Sequence, residues 1–391
     1  MKYIIKRIKI NFLLALAAIM ILSSCNKELE QIPGPPAVIQ DTTPNLGTLL
    51  SDPNFSIFKA AVVKANLLAT LQNPSLRFTV FAPDNAACIA SGIPSEAAIA
   101  GLSVASVTSL VSYHIIPQAI PSASISNAFP NFQYPTILNP TTGTPAFNPL
   151  VRLTTSPSTR NGIWVNNIPI ITADIQAVNG ILHKVVRVVA PPKRAVWERI
   201  NTDVDLTIFK AAIQRADEGV APTGPASLIW ALSNFGPNLT VFAPSNMAFK
   251  NLISALTGGM IPVAAPDATF IAFLGSASVT TQTIKGIVVY HLLGSRAFSN
   301  NFPIVATSYP TLLNGAVAAH PGVSLQCMFT AGVVTSATAK GVVNATASNI
   351  VINPVPDTEV AGSPLIAYIG TSDQHYINGT LHKIDQVLLP Q

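Results

Sequence analysis

Apolar residues recur along this chain at two different spacings, and each spacing predicts an element. From residue 46 to 68 the apolar positions are Leu46, Leu49, Leu50, Ile57, Phe58, Ala61, Val62, Ala65 and Leu68. The later ones fall three and four apart, as on one face of a helix, so Phe58 is expected in a core. Phe78-Thr79-Val80-Phe81 alternates instead and runs into Ala82-Pro83. That predicts a buried strand stopped by Pro83, because proline cannot donate to a ladder. Asp84 follows where a helix N-cap belongs. Residues 104–116 predict a helix leading into the apolar segment Tyr113-His114-Ile115-Ile116. Asn179-Gly180 is a preferred pair for a tight hairpin turn. After it, His183 shares strand parity with Ile181 and Val185, and Asp174 closes the same hairpin five residues before Asn179.

The series then repeats. Phe209-Lys210-Ala211-Ala212 follows the pattern of Phe58-Lys59-Ala60-Ala61, and Thr240-Val241-Phe242-Ala243-Pro244 that of Thr79-Val80-Phe81-Ala82-Pro83. Tyr290-His291 matches Tyr113-His114, and Tyr309-Pro310-Thr311 matches Tyr134-Pro135-Thr136. Asn378-Gly379-Thr380-Leu381-His382-Lys383 matches Asn179-Gly180-Ile181-Leu182-His183-Lys184, with Asp373 five residues ahead. The order is the same and the offset grows from 151 to 199 residues. Extra length falls between the matched segments because loops tolerate it and packed elements do not. Two domains are therefore expected, 45–191 and 193–391, with Pro191-Pro192 at the joint. Val387-Leu388-Leu389 is expected to be a last buried strand.

The N-terminus has a different pattern. Lys2, Lys6, Arg7 and Lys9 precede a 13-residue apolar run at 10–22, too short to span a membrane comfortably and suited to a cleaved signal over 1–24. Leu22-Ser23-Ser24-Cys25 resembles the lipobox of bacterial lipoproteins. That resemblance implies that Cys25 is acylated on its sulfur and, after cleavage, on its amine. Asn26, followed by Lys27, Glu28 and Glu30, is similar to outer-membrane and surface-export signals of Bacteroidetes-type lipoproteins. Residues 25–44, with Pro33, Pro35, Pro36 and Pro44, read as lipidated cysteine and extended tether. Extended chain of this length reaches roughly 60 Å at ~3.1 Å per residue.

This export segment changes the meaning of the charge. The chain has 22 basic and 17 acidic residues, a net charge of +5. Losing the four basic residues of 1–24 leaves 18 against 17, a net of +1. A near-neutral mature chain argues against nucleic acid as partner, which calls for a clustered basic face. Only 10% of residues are charged and 49% are hydrophobic, which disfavours disorder. The 32 prolines disfavour a mainly helical protein. Cys88 and Cys327 occupy non-equivalent places in the two copies and read as buried, small and apolar.

Three features together resemble the fasciclin domain family: the Thr-Val-Phe-Ala-Pro strand and turn, the central Tyr-His, and the terminal Asn-Gly-x-Leu-His-Lys. Each occurs twice, in order, so the resemblance extends over nearly all of 45–391. It implies an α+β fold of two tandem fasciclin-like domains, each a β-sandwich or wedge core with several short helices. It also implies adhesion at a cell surface or in an extracellular matrix. The Pro-, Thr- and Ser-rich segment 141–160 and the long stretch 315–370 depart from the family pattern.

Signatures of catalysis are sparse. No nucleophile elbow, phosphate-binding glycine loop or His-Glu-x-x-His occurs. Ser56-Ile57-Phe58-Lys59 fits Ser-x-x-Lys, but its counterpart begins with Thr207, so it reads as a helix turn. Four of the six histidines, His114, His183, His291 and His382, are matched between copies. Each is expected to fill an apolar face with its ring N–H on a backbone carbonyl, and no metal or other cofactor is called for. In some animal relatives the segment equivalent to Tyr113-His114 and Tyr290-His291 is reported to help bind integrins. The resemblance therefore offers these four residues as partner contacts, whereas the apolar residues around them suggest burial. Phe81, Pro83, Asn179, Gly180 and His183, with Phe242, Pro244, Asn378, Gly379 and His382, are expected to be structural. The function expected is a non-enzymatic, outer-membrane-anchored adhesion or matrix-interaction module with a protein or glycan ligand at the cell surface. The alternative is a glycan-binding accessory lipoprotein for polysaccharide capture. It needs an exposed aromatic platform, for which Trp164, Trp197, Trp230, Tyr134 and Tyr309 are candidates, although Trp197 aligns with the core residue Leu46.

Overall fold

The computed structural model describes residues 43–140, 150–330, 332–350 and 372–391. The expected signal segment, Cys25 and most of the expected tether lie outside the described residues, as does much of the two family-atypical stretches.

In the first half, strand β1 (Phe78–Pro83) pairs antiparallel with β2 (Ile115–Ile116). β3 (Tyr134–Pro135) and β4 (Thr154–Thr155) pair with each other. β5 (Pro157–Ser158), β6 (Trp164–Val165), β7 (Ile168–Ala177) and β8 (Gly180–Val185) complete a sheet ordered β2-β1-β8-β7-β6-β5. β1 and β8 run parallel at its centre, with Phe81 opposite His183. The second half repeats this arrangement. β9 (Leu239–Pro244) lies between β10 (Leu292–Leu293) and a distant strand that returns parallel to it. β11 (Thr307–Tyr309) holds the place of β3, since Tyr309 matches Tyr134, and β12 (Val323–Thr330), β13 (Val333–Lys340) and β14 (Ser348–Ile350) follow it. β15 (Gln374–Tyr376) and β16 (Gly379–Ile384) close the domain, with Phe242 opposite His382 on the parallel pair β9–β16.

Each sheet has a core on both faces. On one face of the first sheet, Val80 and Leu182 pack with Phe58, Val62, Leu110 and Val111 from the helices Ser56–Lys64 and Val104–Tyr113. On the other, Phe81, Tyr113, Val165 and Val185 form a second cluster. The second domain divides the same way, with Phe209, Ile213, Val241 and Val288 on one side and Phe242, Tyr290, Leu325 and Ile384 on the other. The α+β expectation is met. The helices start where the sequence places them: Asp84 accepts from the Ala87 amide and Ser245 from the Ala248 amide. Residues 43–391 form one compact unit.

Three local expectations are corrected. The two-residue hairpin loops are Val178-Asn179 and Ile377-Asn378, because Ala177 already pairs with Gly180 and Tyr376 with Gly379. The glycines are therefore the first residues of parallel strands. A Cβ on Gly180 would lie 1.9 Å from the Phe78 carbonyl oxygen, and one on Gly379 would lie 2.2 Å from that of Leu239. Val387–Leu389 is not a strand. Val387 and Leu388 are buried, but the Leu388 amide donates to the His291 ring instead of a sheet ladder. Val196, not Trp197, occupies the place of Leu46: both of their amides donate to the matched hairpin asparagines.

Candidate functional site

The four matched histidines have no exposed surface, and both ring nitrogens of each are engaged. In His114, Nε2 accepts from the Val189 amide at 2.9 Å, so Nδ1 carries the proton and donates to the Leu110 carbonyl at 2.8 Å. His291 repeats this with the Leu388 amide and the Ile287 carbonyl. His183 and His382 take the other tautomer. Their Nδ1 atoms accept from the amides of Asp174 and Asp373 at 3.1 and 3.2 Å. Their Nε2–H groups donate to the carbonyls of Ile120 and Ala297, both at 3.0 Å. Burial pushes His114 and His291 down to about 4 and lowers His183 and His382 as well, which keeps all four neutral. His382 lies 3.8 Å from an Asp373 carboxylate oxygen, but a neutral ring makes no ion pair there.

Asp174 and Asp373 adopt left-handed backbone conformations, with φ of 61° and 53°. Their carboxylates hold the amide and hydroxyl of Ser122 and Ser299. These bonds offset the backbone cost of the bend that aims each Asp amide at a histidine. The tyrosines are also buried: Tyr113 donates to the Thr154 carbonyl and Tyr290 to that of Gly322. Burial raises both hydroxyls, Tyr113 to about 12. Tyr113, His114, Tyr290 and His291 thus hold the helix to the far side of the sheet, and none presents side-chain surface to a partner. All four side chains lie in the core.

The aromatic candidates for sugar stacking are buried or half-buried. Trp164 is 6% exposed, and Trp197, Trp230, Tyr134 and Tyr309 are half-buried. Cys88 and Cys327 are free, buried thiols in separate cores. Among the described residues, no group of three His, Cys, Asp or Glu converges as a metal site.

The spacing of motifs gave no sign of the junction between the domains, which is built from asparagines. Asn131 donates its amide to the Arg296 carbonyl and accepts at Oδ1 from the Phe298 amide, both at 3.0 Å. Asn161 donates to the carbonyls of Asn300 and Phe302. Asn300 donates to the Asn166 carbonyl, and Asn301 joins the Ala128 carbonyl to the Ser158 hydroxyl. Phe129 packs 5.8 Å from Phe302, edge to face, and 4.2 Å from Tyr309. Arg296 is buried beside this seam. It is held by Asn238, His375 and the carbonyls of Tyr376 and Ile377, and no carboxylate pairs with it among the described residues. Clusters such as Asn166-Asn167 and Asn300-Asn301 in a chain this poor in charge were the available signal.

A cleft of about 460 Å³ opens along the same junction. The first domain contributes Asp84, Trp164, Asn167, Ile171, Val186 and Arg187, and the second contributes Asn300, Val334 and Asp373. Asp84 is paired with Lys184 at 2.7 Å. Burial raises its carboxyl, but the Lys184 ion pair and the helix-end amides outweigh this and hold it below the ordinary value.

The family model for the fasciclin domain matches residues 53–191 and again 223–390. The chain belongs to the fasciclin domain family. It is 28% identical over 198 residues to the pig (Sus scrofa) protein "transforming growth factor-beta-induced protein ig-h3", covering 47% of this chain and 26% of that relative. The chain thus spans about a quarter of that relative's length. Among solved structures it is similar to a fasciclin domain pair from the insect cell adhesion molecule fasciclin I, at 16% identity and a TM-score of 0.32, covering 86% of this chain and 97% of that one. Fasciclin domains are found in cell adhesion proteins, fasciclin I among them. Among the described residues, no helix is long and apolar enough to cross a membrane.

Proposed function

We propose that this fasciclin protein is a surface lipoprotein, anchored to an outer membrane through Cys25, whose domain pair mediates adhesion or matrix contact without catalysis. The observation that carries the reading is the presence of two family domains docked through a buried, hydrogen-bonded seam. Such a pair offers one rigid surface spanning both domains, which suits contact through shape and short-range packing. The near-neutral mature chain supports the same mode, since it supplies little long-range steering. The half-buried or buried state of the tryptophans favours a protein ligand over a glycan.

Several acyl chains on one cysteine contribute about 0.8 kcal/mol per buried methylene and anchor firmly. Replacing Cys25 with Ala is expected to move the protein from the membrane fraction to the soluble fraction. It should also abolish its removal by protease added to intact cells. Unchanged membrane association of Cys25→Ala would refute the lipid anchor. Adhesion is tested separately, by aggregation of beads coated with the full chain or their retention on matrix proteins. A glycan array that lights up while every protein surface stays blank would favour polysaccharide capture instead.

A further inference from the structure

The cleft between the domains holds polar groups that its own walls leave unused. Asn300 is 1% exposed, and its Nδ2 is turned to the Asn166 carbonyl. Its Oδ1 is buried with no hydrogen-bond partner among the described residues. An unpaired buried acceptor costs about 1–3 kcal/mol, so a small shift of the Asn300 side chain that brings Oδ1 to a donor in the cleft is favoured. Asn167, half-buried on the opposite wall, has no side-chain partner among the described residues. Among the described residues, Arg187 donates only to the Ala90 carbonyl. The two carboxylates nearby are already engaged, Asp84 by Lys184 and Asp373 by the amide and hydroxyl of Ser299. Among the described residues, Arg187 is therefore the cleft's cation without a carboxylate. Between these groups the walls are apolar, with Trp164, Ile171, Val186 and Val334. The volume falls within the roughly 300–1,000 Å³ range of small-ligand sites.

We propose that this cleft binds the C-terminal residues of an apolar peptide, with the terminal carboxylate on Arg187 and a peptide N–H on Asn300 Oδ1. A carboxylate matches a guanidinium through charge-assisted, often bidentate, hydrogen bonds. The free acceptor on Asn300 distinguishes a peptide from a fatty acid, which has no donor to offer it. Both domains supply walls, so neither domain alone forms the site. The proposal rests on the cleft and is independent of the lipid anchor.

The test is calorimetric titration of the full chain with three probes: the tetrapeptide Ala-Leu-Val-Val with a free C-terminus, its C-terminal amide, and decanoate. The free acid is expected to bind and the amide to bind at least about tenfold more weakly, the loss expected of a charge-assisted bond. Arg187→Gln should weaken the free acid to the level of the amide and leave the amide unchanged. Ile171 is 54% exposed, so Ile171→Trp fills the cleft without touching a core and should abolish binding of the free acid. Equal binding of acid and amide would overturn the proposal, as would undiminished binding to Ile171→Trp. Binding of decanoate alone, or of no probe, would overturn it too.

Discussion

Lowering the pH from 7 to 4 is expected to remove several kcal/mol of stability from this protein, with most of the loss above the carboxylate range. His114 and His291 are held near 4 by burial, against an ordinary value of 6.5, and the hydrogen bonds to Leu110 and Ile287 only partly oppose the shift. The unfolded chain takes up a proton at each position as pH falls through 6.5, whereas the folded protein does not until about 4. Across that window the unfolded state binds more protons, so stability is complete above pH 6.5 and falls as pH drops towards 4. A shift of this size corresponds to about 3 kcal/mol per histidine. His183 and His382 are lowered too and add to the same slope. The depressed carboxyls of Asp84, Asp174, Asp203 and Asp267 contribute below pH 4, because their ordinary value is 3.8. Urea midpoints at pH 7, 6, 5 and 4.5 separate the two groups. Midpoints that stay flat to pH 4.5 would show that the rings are not buried as neutral imidazoles.

The second large effect lies at the hairpin asparagines. Asn179 sits at a loop, yet its side chain ties together three segments distant in sequence. Its oxygen accepts from the Leu46 amide at 2.9 Å, and its nitrogen donates to the carbonyls of Leu71 and Asn73 at 2.7 and 3.1 Å. Asn378 repeats the clamp with the Val196 amide and the carbonyls of Ala231 and Leu232. Truncation to Ala strands one buried donor and two acceptors in each domain. At about 1–3 kcal/mol for each group left unpaired, Asn179→Ala and Asn378→Ala are each expected to cost about 3–5 kcal/mol. That is a large share of the ~5–15 kcal/mol that stabilises a typical domain. Urea denaturation of each variant checks this, and a loss below about 1 kcal/mol would reduce these residues to ordinary turn asparagines.

Much of this architecture was legible because it is written in local signals that recur. The strand ending in Pro83 or Pro244, the caps at Asp84 and Ser245, and the helix faces carrying Phe58 and Phe209 each depend on a few neighbouring residues. Their appearance twice in one order removes the ambiguity that any single copy carries. The histidine pairs were legible as buried, but their tautomers were not. Those depend on the amides of Val189, Leu388, Asp174 and Asp373, which only the folded chain brings to the rings. The same reason explains the misreading of Val387–Leu389. Its apolar run suits a strand, and only the position of His291 shows where the Leu388 amide goes. The domain seam was least visible. Asn161 and Asn301 bond to groups 141 and 173 residues away, and an isolated asparagine has no periodicity that marks it as part of an interface.

The central claim is that the matched Tyr-His and Asn-Gly-x-Leu-His segments are buried architecture. Long-range nitrogen-15 NMR of the histidine rings tests it most directly, because it reports tautomer and charge one ring at a time. The expected spectrum shows His114 and His291 neutral with the proton on Nδ1, and His183 and His382 neutral with the proton on Nε2. Neither His114 nor His291 should titrate between pH 7.5 and pH 5, and His183 and His382 should titrate below the ordinary imidazole value. An imidazolium signal from His114 or His291 at pH 5.5 would place that ring in contact with water and contradict the account.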